Sequence, residues 1–581
     1  MHNQAKQYQL LFEFADRQGR KSPLLFEDPV EIIEAYSIEE IKPKLEKIQE
    51  SVQSGYYAAG YISYEAAPAF EQAYAVHSGT KMPLLWFGLF KQPLRVQETK
   101  EEKRFTVGEW LPDTTFKQYR SDILSIKDAI ERGDTYQVNY TIRLHSSFTG
   151  DDLGFYRQLA KAQAANYSAY LNIGKYSILS ASPELFFHWK DGEITTRPMK
   201  GTCKRGKFLD EDDQRADWLF HSEKNRAENV MIVDLLRNDL GSLAVTGTVK
   251  VDSLYEIEKY PTVLQMTSTV TAKTSPGTTL LDVFTALFPC GSITGAPKIS
   301  TMKIIHSLEA SPREVYCGAI GYITPENEAI FNVPIRTVVI DSESGEAEYG
   351  VGGGITWDSE IGDEYEEAQT KAMLLTSSIP DFELLESLRL ENGGYDLLDR
   401  HLQRLQKSAA YFGIPISEPD IRDKLTRYAQ NHTNRLEKVR LVVNKEGQVL
   451  IEGGPVTLFK DAQPICLAKT PISKENRFLY HKTTYREVYE QHRPQDCDFF
   501  DVLLWNEAGE LTEFTIGNLV VEIGGKLFTP PVACGLLAGT MREELLAKGK
   551  ISERILRKED LNQASGFWLI NSVRGWVPVY L

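Results

Sequence analysis

Short strand-like segments bounded by turn residues are the feature of this 581-residue chain that most restricts its fold. Three of them follow one another as "AYLNIG", "YSILSAS" and "GEITTRPM". Short strands that follow one another without helices between them favour antiparallel sheets over a regular βαβ repeat. Upstream, "FKQYRSDILSIKDAIERGD" places Tyr119, Ile123, Ile126 and Ile130 on one helical stripe that stops near Gly133, which predicts a helix packed on a sheet.

The length indicates more than one folded unit, because domains are commonly about 100 to 200 residues long. The firmest boundary lies in "LLTSSIPDFE", where a helical pattern ends before a new apolar-periodic segment begins. We therefore predict a first domain over 1–375, a linker over 376–381 and a second domain over 382–581. A softer boundary at the charged run "QETKEEKRF" divides the first domain into 1–100 and 101–375.

Charge and hydropathy argue against two classes of partner. Acidic residues outnumber basic residues by 81 to 65, for a net charge of −16, whereas binding to a phosphate backbone needs a clustered basic face. The sequence has no signal-peptide pattern and no run of about 18 apolar residues, so we expect a cytoplasmic protein that binds neither nucleic acid nor membrane. Its six cysteines form no C-x-x-C pair, which predicts reduced thiols rather than disulfides or a zinc site.

Carboxylates recur on helix faces that the core should cover. In "KNRAENVMIVDLLRNDLG", Glu228 lies at helical spacing from apolar residues four and seven positions later. A carboxylate on such a face usually needs a partner or a metal. In "DEYEEAQTKAML", Glu364, Glu367 and Lys371 also share one face, although this pattern alone fits a surface ion-pair ladder as well.

Three further clusters add a lysine, an acid and glycines. Glu184 follows a proline in "SASPELFF", Lys200 lies in "RPMKGT", and Gly352, Gly353 and Gly354 occur in "YGVGGGITWDS". Taken alone, Lys200 is by default a solvated charge at a strand end and Glu184 a turn carboxylate. Glycines allow backbone N–H groups to approach an anion closely. Together with carboxylates that suit Mg²⁺, this set fits a small dianionic substrate bridged to the metal.

Five of these motifs, in this order, give the stretch from about 100 to 375 a resemblance to the chorismate-utilising enzymes: "SASPELF", "RPMKGT", "KNRAENVMIVDLLRNDLG", "FPCGSITGAPK" and "GVGGGITWDSEIGDEYEEAQTKA". The resemblance implies an α/β (α+β) fold, a two-sheet sandwich that holds chorismate on Mg²⁺ between the sheets. It implies that Glu228 and Glu367 are metal ligands, with Glu364 beside them. The implied substrate-binding residues are Tyr316, Arg336, Gly352, Gly353, Gly354, Lys371 and Thr294.

The residue at position 200 distinguishes branches of that family. The anthranilate-forming branch has alanine there, in "P-I-A-G-T", and the aminodeoxychorismate-forming branch has lysine, in "P-I-K-G-T", whereas this chain reads "PMKGT". The resemblance therefore implies that the Lys200 amine attacks C2 of chorismate, with Glu184 as the general acid for the leaving hydroxyl. Many relatives carry histidine where this chain has Gln265, which leaves the role of that position open.

The second domain resembles the class IV pyridoxal-phosphate enzymes, which include aminotransferases and aminodeoxychorismate lyase, and implies a smaller α/β domain. The motifs are "YHKTTYREVY", "GELTEFTIGNLVVEIGGKLFTPP" and "CGLLAGTMREELL". Lys482 matches the Schiff-base lysine and Glu513 the carboxylate on the pyridine nitrogen. The implied phosphate-binding residues are Arg404, Ser572, and Thr540 with Met541, which follow Gly539 at an expected helix start. Near the beginning of this domain, a turn is expected at Asn392, Gly393 and Gly394 after a strand-like run. "GTMR" is closer to the lyase pattern, whereas the usual opening signature of the family is mostly missing.

Both resemblances together imply a bifunctional route to 4-aminobenzoate, a folate precursor. The first domain would make 4-amino-4-deoxychorismate and the second would expel pyruvate from it. The sequence lacks a glutaminase motif, so ammonia would come from a separate glutamine amidotransferase subunit or from free ammonium. The alternatives are a first domain that makes anthranilate or isochorismate, and a second domain that is an aminotransferase or a degenerate docking module. The second domain could also form a homodimer.

Overall fold

The computed structural model describes residues 8–16, 19–96, 104–376, 380–433, 435–493 and 499–581. The chain forms two compact units. The first runs to Lys204, resumes at Ala216 and ends before Pro380, and the second comprises Arg205–Arg215 and Pro380–Leu581. The centre of the predicted linker and most of the charged run near residue 100 lie outside the described residues, so both boundaries stay predictions.

Two ten-stranded sheets form the first unit. The strands of one sheet are Gln9–Phe14, Leu24–Glu27, Phe105–Val107, Leu111–Pro112, Gln137–Gly150, Tyr167–Asn172, Tyr176–Ser182, Gly295–Ala296, Thr337–Asp341 and Glu346–Ile355. The strands of the other are Glu31–Ala35, Tyr57–Ile62, Leu85–Phe90, Leu185–Lys190, Glu193–Arg197, Met199–Lys204, Lys250–Lys259, Val263–Lys273, Ala319–Ile323 and Ala329–Asn332. Their described pairings are antiparallel, as the short turn-bounded segments predict.

The two sheets face each other across an apolar layer. Leu10 and Phe12 of one sheet and Tyr61 and Trp86 of the other belong to the same buried cluster. Alternate residues, such as Leu11, point instead into a second cluster that includes helix residues. Because successive side chains of a strand point to opposite faces, each sheet is covered by the other sheet on one side and by helices on the other. The predicted two-sheet sandwich is confirmed.

Helices cover the outer faces of this sandwich. They span Ile38–Gln53, Phe116–Glu131, Asp152–Gln163, Glu223–Gly241, Leu280–Leu287, Lys298–Leu308 and Ile361–Ala372, and Leu209–His221 begins in the second unit and ends in the first. In the Phe116–Glu131 helix the predicted stripe is confirmed, since Tyr119, Ile123 and Ile126 are buried. Gly133 follows with φ of +79°, a conformation that suits glycine after a helix end.

The second unit contains a four-stranded and an eight-stranded sheet. The four-stranded sheet consists of Leu384–Glu391, Gly394–Tyr395, Leu436–Val443 and Val449–Pro455. The eight-stranded sheet consists of Gln463–Leu467, Asp501–Trp505, Leu511–Phe514, Asn518–Ile523, Lys526–Thr529, Ser552–Glu553, Gly566–Asn571 and Gly575–Tyr580. Helices span Leu398–Phe412, Glu418–Gln430, Glu487–Glu490 and Thr540–Ala547.

The cysteines and the lengths of the helices bear on two of the expectations from the sequence. Four of the described cysteines, Cys290, Cys317, Cys466 and Cys534, are thiols that form no disulfide, and all of these except Cys466 are buried. Cys497 lies outside the described residues. Within the described ranges, no helix is both long and apolar enough to cross a membrane.

Candidate active sites

A cavity of about 470 Å³ lies in the first unit, and strands of both sheets contribute to its walls. The strand Met199–Lys204 contributes Lys200, and the strand Glu346–Ile355 contributes Gly352, Gly353 and Gly354. Helices add the three predicted carboxylates. The predicted site residues that line this cavity are Glu184, Lys200, Glu228, Tyr316, Arg336, Gly352, Gly353, Gly354, Glu364, Glu367 and Lys371.

Hydrogen bonds fix the backbone around Lys200. Asn229 Nδ2 donates to the Lys200 carbonyl at 3.5 Å, and the Ser268 hydroxyl donates to Asn229 Oδ1 at 2.6 Å. On the neighbouring strand, Gln265 Nε2 donates to the Gly201 carbonyl at 2.9 Å and Gln265 Oε1 accepts from the Thr202 hydroxyl at 2.8 Å. Gln265 therefore fixes the strand Met199–Lys204, which contains Lys200, to the neighbouring strand.

The environment of Lys200 favours the uncharged amine. Burial lowers the pKa of Lys200, because desolvation disfavours the ammonium, while the nearby carboxylates Glu228 and Glu184 oppose the shift. Lys371 contributes to lowering that pKa as a second cation. A lowered lysine pKa is the property that a nucleophilic amine requires.

Glu184 has the properties of a proton donor. Its side chain is 3% exposed, and burial raises its pKa to about 7, although Ser292 and Lys200 partly oppose the shift. Its Oε1 atom is buried and has no hydrogen-bond partner among the described residues. A carboxyl with this pKa is protonated in part of the population near neutral pH and can donate to a substrate oxygen in the cavity.

The three helical carboxylates face the same cavity. Burial raises the pKa of Glu228 and Glu364, and the Lys371 ammonium, 2.8 Å from Glu367 Oε1, holds the pKa of Glu367 below its usual value. In the described chain, no three Asp, Glu, His or Cys side chains are close enough to enclose a metal by themselves. Mg²⁺ commonly takes one or two carboxylates and completes its shell with water and substrate oxygens, so these residues fit a metal shared with substrate.

The strand Glu346–Ile355, which contains Gly352, Gly353 and Gly354, lines the cavity with its backbone groups. Its pairing with Thr337–Asp341 ends at Tyr349, so beyond that residue only the strand Gln137–Gly150 is hydrogen-bonded to it. Lys371 Nζ donates to the Gly352 carbonyl at 2.7 Å. A Cβ at Gly353 would lie 3.5 Å from Lys371 Nζ and 3.6 Å from Glu364 Oε2. Glycine therefore keeps open the space in which the predicted anion would lie.

The backbone conformation at Arg336 and a glycine next to Tyr316 position these two side chains. A Cβ at Gly350 would lie 2.4 Å from Tyr316 Cδ1, so the buried tyrosine ring requires glycine at that position. Arg336 adopts φ of +53°, in the left-handed region that non-glycine residues rarely occupy, and its carbonyl accepts a hydrogen bond from Ala181. Both side chains line the cavity, which is where the resemblance expects a carboxylate.

Thr294 is the predicted residue that the structure does not bring into this lining. It is fully buried, and its hydroxyl donates to the carbonyls of Cys290 and Gly291 at 3.2 and 3.3 Å. Its neighbours Ser292 and Ile293 line the cavity instead. The three-residue helical turn at Gly291–Ile293 causes this difference, because it directs the Thr294 side chain back onto its own loop.

Sequence reasoning missed Gln137. This residue is fully buried, and within the described residues neither atom of its side-chain amide has a hydrogen-bond partner. A Cβ at Gly354 would lie 1.8 Å from Gln137 Nε2 and 3.0 Å from Lys200 Nζ, so the amide and the amine approach the same point. The signal in the sequence is a single amide at the start of an otherwise buried strand, "QVNYTIRL".

A second cavity, of about 490 Å³, lies in the second unit and is lined by Lys482 and Glu513. Burial lowers the pKa of Lys482 to about 7, and the Arg404 guanidinium contributes to that shift. Burial raises the pKa of Glu513 to about 7. Glu513 accepts hydrogen bonds from the Tyr489 hydroxyl at 2.9 Å and from the Leu537 backbone at 3.1 Å, so its carboxylate is held in one orientation.

The predicted phosphate-binding residues lie together at one helix start. The helix Thr540–Ala547 begins after Gly539, as predicted, and Thr540, Met541, Ser572 and Arg404 all line the cavity. The N-terminal N–H groups of a helix form an anion site. A Cβ at Gly539 would lie 1.9 Å from Asn518 Oδ1, so this close turn requires glycine.

A buried acid and histidine, which the sequence did not indicate, orient these residues. Arg404 donates from Nε and Nη2 to the two oxygens of Glu386 at 2.9 and 2.6 Å. His401 Nδ1 lies 2.6 Å from Glu386 Oε2, and His401 Nε2 lies 3.0 Å from the Ser572 hydroxyl. Despite its burial, Arg404 and His401 hold the pKa of Glu386 at about 2. The residues therefore fit a phosphorylated pyridine cofactor that reaches from Arg404 to Glu513.

Comparison with known proteins gives two family matches. Residues 95–377 match the chorismate binding enzymes, and residues 383–580 match the class IV aminotransferases. Aminodeoxychorismate synthase component 1 of Escherichia coli is 40% identical over 279 residues, which are 48% of this chain and 61% of that protein. The chain thus aligns with less than two thirds of the length of that relative.

Two further comparisons cover a larger share of the chain. Anthranilate synthase component 1 of Methanothermobacter thermautotrophicus is 33% identical over 361 residues, which cover 58% of this chain and 75% of that protein. The crystal structure of anthranilate synthase component I from Streptococcus pneumoniae superposes with a TM-score of 0.53 at 24% identity, over 65% of this chain and 94% of the other. That structural likeness concerns the fold alone.

Proposed function

We propose that this chain, which belongs to the chorismate binding enzyme family and continues into a class IV aminotransferase domain, makes 4-aminobenzoate from chorismate in two steps. The first unit would form 4-amino-4-deoxychorismate, and the second would eliminate pyruvate from it. The observation that carries this proposal is the half-buried Lys200 amine, which has a lowered pKa and lines one cavity with Glu184 and Glu228.

In the first step, the Lys200 amine attacks C2 of chorismate. The ring double bonds shift, and the C4 hydroxyl leaves as water after it takes the proton of Glu184. Ammonia then attacks C4, the double bonds shift back, and the Lys200 nitrogen leaves C2. The Gln137 amide supports this assignment, since its Nε2 atom has no hydrogen-bond partner among the described residues and approaches the same point as Lys200 Nζ, where an amide N–H can donate to an uncharged amine.

The proposed substrate orientation is the one that the resemblance to the chorismate-utilising enzymes implies. Tyr316 and Arg336 would hold the enolpyruvyl carboxylate, and Lys371 with the glycine amides the ring carboxylate. Glu228 and Glu367, with Glu364 beside them, would hold Mg²⁺. The metal would neutralise the repulsion between these glutamates and a carboxylate of the substrate. The ammonia would come from a separate glutamine amidotransferase subunit, as the likeness to a component 1 protein supports.

In the second step, Lys482 would remove the C4 proton of aminodeoxychorismate, and the enolpyruvyl group would leave C3 as pyruvate while the ring becomes aromatic. Pyridoxal phosphate, when bound, supplies the electron sink for such chemistry. Arg404, Thr540, Met541 and Ser572 would hold its phosphate, and Glu513 would hold a proton at its ring nitrogen. The pKa of Lys482, about 7, suits an amine that must accept and return a proton near neutral pH.

A time course with the purified chain tests both steps. Chorismate, Mg²⁺, ammonium and pyridoxal phosphate are supplied, and products are separated by chromatography with mass and fluorescence detection. We expect aminodeoxychorismate to rise first, followed by equal amounts of 4-aminobenzoate and pyruvate. Anthranilate or isochorismate as the main product would contradict the first step, and aminodeoxychorismate that persists would contradict the second.

A further inference from the structure

Basic side chains are concentrated around the second cavity. Besides Lys482 and Arg404, five line it: Lys438, Arg440, Arg486, Arg493 and Arg574. The acidic residues of the lining are Glu490 and Glu513, and Glu513 already accepts hydrogen bonds from Tyr489 and Leu537. The phosphate of a cofactor at Arg404 would not neutralise the other cations.

Four of these cations come from three separate parts of the second unit and approach one another. Lys438 and Arg440 are two positions apart on the strand Leu436–Val443, so their side chains point to the same face of the sheet. Arg486 directly precedes the helix Glu487–Glu490, and Arg574 lies in the turn before Gly575–Tyr580. Burial lowers the pKa of Lys438, and Arg574, Arg440 and Arg486 each lower it further, as expected for like charges that lie close together.

The inner two of these cations, Arg486 and Arg574, are partly buried. The Arg486 guanidinium lies 4.1 Å from the centre of the Tyr489 ring and donates to the Thr515 carbonyl. Arg574 Nε is buried and has no hydrogen-bond partner in the described parts of the chain. Burial lowers the pKa of Arg574. Asp501, whose charge opposes that shift, already accepts a hydrogen bond from the Thr515 hydroxyl at 2.6 Å.

None of the four cations forms an ion pair with a carboxylate among the residues that the structure describes. A buried, unpaired guanidinium N–H costs free energy unless a ligand satisfies it. The charge of one carboxylate would leave most of this cluster uncompensated, whereas two carboxylates on one small molecule would match it. A monocarboxylic amino acid therefore fits this cavity less well than a dicarboxylic amine.

We propose that Arg486 and Arg574, with Lys438 and Arg440 at the entrance, form a dicarboxylate-recognition site that selects the substrate of the second unit. This inference rests on the proposed function and specifies its substrate class: a ring amine with two carboxylates. Arg486 and Arg574 contribute affinity because they are shielded from water, and the exposed Lys438 and Arg440 contribute mainly to attraction at low salt.

Two matched ligands that cannot react test the proposal. They are 3-(carboxymethoxy)benzoate, with two carboxylates in the meta arrangement of the expected substrate, and 3-methoxybenzoate, with one. Their binding to the cofactor-loaded protein is measured by calorimetry. We expect the dicarboxylate to bind at least about tenfold more tightly, which corresponds to one charge-assisted hydrogen-bonded pair.

Variants identify the residues responsible for the preference. Arg574→Gln and Arg486→Gln should each reduce it about tenfold or more, whereas Arg574→Lys should retain part of it. Arg427→Gln, which removes an exposed charge from the helix Glu418–Gln430, serves as the control and should leave the preference unchanged. Unchanged cofactor absorbance shows that each variant is folded.

Equal affinity for the two ligands, or a preference that survives in both glutamine variants, would overturn the proposal. The test does not depend on turnover. A dicarboxylate preference in a protein without lyase activity would support this site and contradict the proposed function. Lyase activity without a preference for the dicarboxylate would support the proposed function and contradict this site.

Discussion

Gln265 Nε2 donates a 2.9 Å hydrogen bond to the carbonyl of Gly201, the residue after Lys200. This bond and the one from Thr202 join the lysine strand to its neighbour where the register is irregular. We expect Gln265→Ala to lower kcat of the first step about 10- to 100-fold with little change in KM, because a displaced nucleophile loses its attack geometry. Steady-state kinetics check this, with Thr271→Ala on the same strand as the control. An unchanged kcat would contradict a positioning role.

Lys200→Ala should change which carbon is aminated. The variant loses the covalent route and leaves space at C2, so most aminodeoxychorismate formation should disappear and residual amination should shift towards C2. Products are identified by mass and fluorescence. Lys204→Ala, an exposed lysine on the same strand, is the control. A variant that forms aminodeoxychorismate at the wild-type rate would disprove the nucleophile assignment.

Lys482→Ala should separate the two reactions. Lys200 and Lys482 line different cavities in different units, so the first reaction should continue and aminodeoxychorismate should accumulate without 4-aminobenzoate. Absorbance at about 400 to 430 nm, expected for a lysine-bound cofactor, should also be lost. The exposed Lys469→Ala serves for comparison. Continued 4-aminobenzoate formation, in the absence of a contaminating lyase, would rule out this role.

Glu228→Gln should weaken the binding of Mg²⁺ that the first step requires. The substitution removes a charged oxygen ligand at nearly constant size, so the Mg²⁺ concentration for half-maximal rate should rise at least about tenfold. A Mg²⁺ titration at saturating chorismate measures it. Glu223→Gln, exposed at the start of the same helix, should behave like wild type. If both variants respond identically to Mg²⁺, Glu228 is a structural carboxylate.

The first step should have a bell-shaped pH profile. Glu184 donates its proton, and since burial raises its pKa to about 7, the active protonated form is lost as pH rises above that value. The rate should fall about tenfold per pH unit well above pH 7. On the acid side of the profile the rate should rise with pH, because the Lys200 amine, whose pKa is lowered by burial, must lose its proton. Rates for Glu184→Gln should be low and lack the alkaline decrease. If the rate of Glu184→Gln still decreased at alkaline pH, a group other than Glu184 would be responsible for that decrease.

Local patterns in the sequence predicted those features that neighbouring residues decide. The stripe of the Phe116–Glu131 helix, the turn at Asn392 and Gly393, and the helix start after Gly539 all follow from side-chain period or from glycine geometry. The shared face of Glu364, Glu367 and Lys371 follows from the same period, and the 2.8 Å pair between Glu367 and Lys371 results.

Other features depend on contacts between distant segments, which the sequence does not encode by spacing. One example is the Glu386 carboxylate, which orients Arg404 from a strand that is distant in the sequence. Another is the Gln137 amide, which approaches the same point as the Lys200 amine from a strand that is also distant in the sequence. Arg205–Arg215 lies between two first-unit motifs, yet it packs within the second unit, where the His481 ring lies 3.0 Å from the Lys207 carbonyl.

The sequence by itself therefore determined which chemical groups are available and on which helix faces and turns they lie, because short-range geometry sets both. The tertiary structure alone decided which groups meet. It turned the Thr294 hydroxyl onto its own loop and brought Arg486, Arg574, Lys438 and Arg440 to one cavity. The physical reason is that strand pairing joins residues tens to hundreds of positions apart, and burial of a site depends on all the segments that cover it.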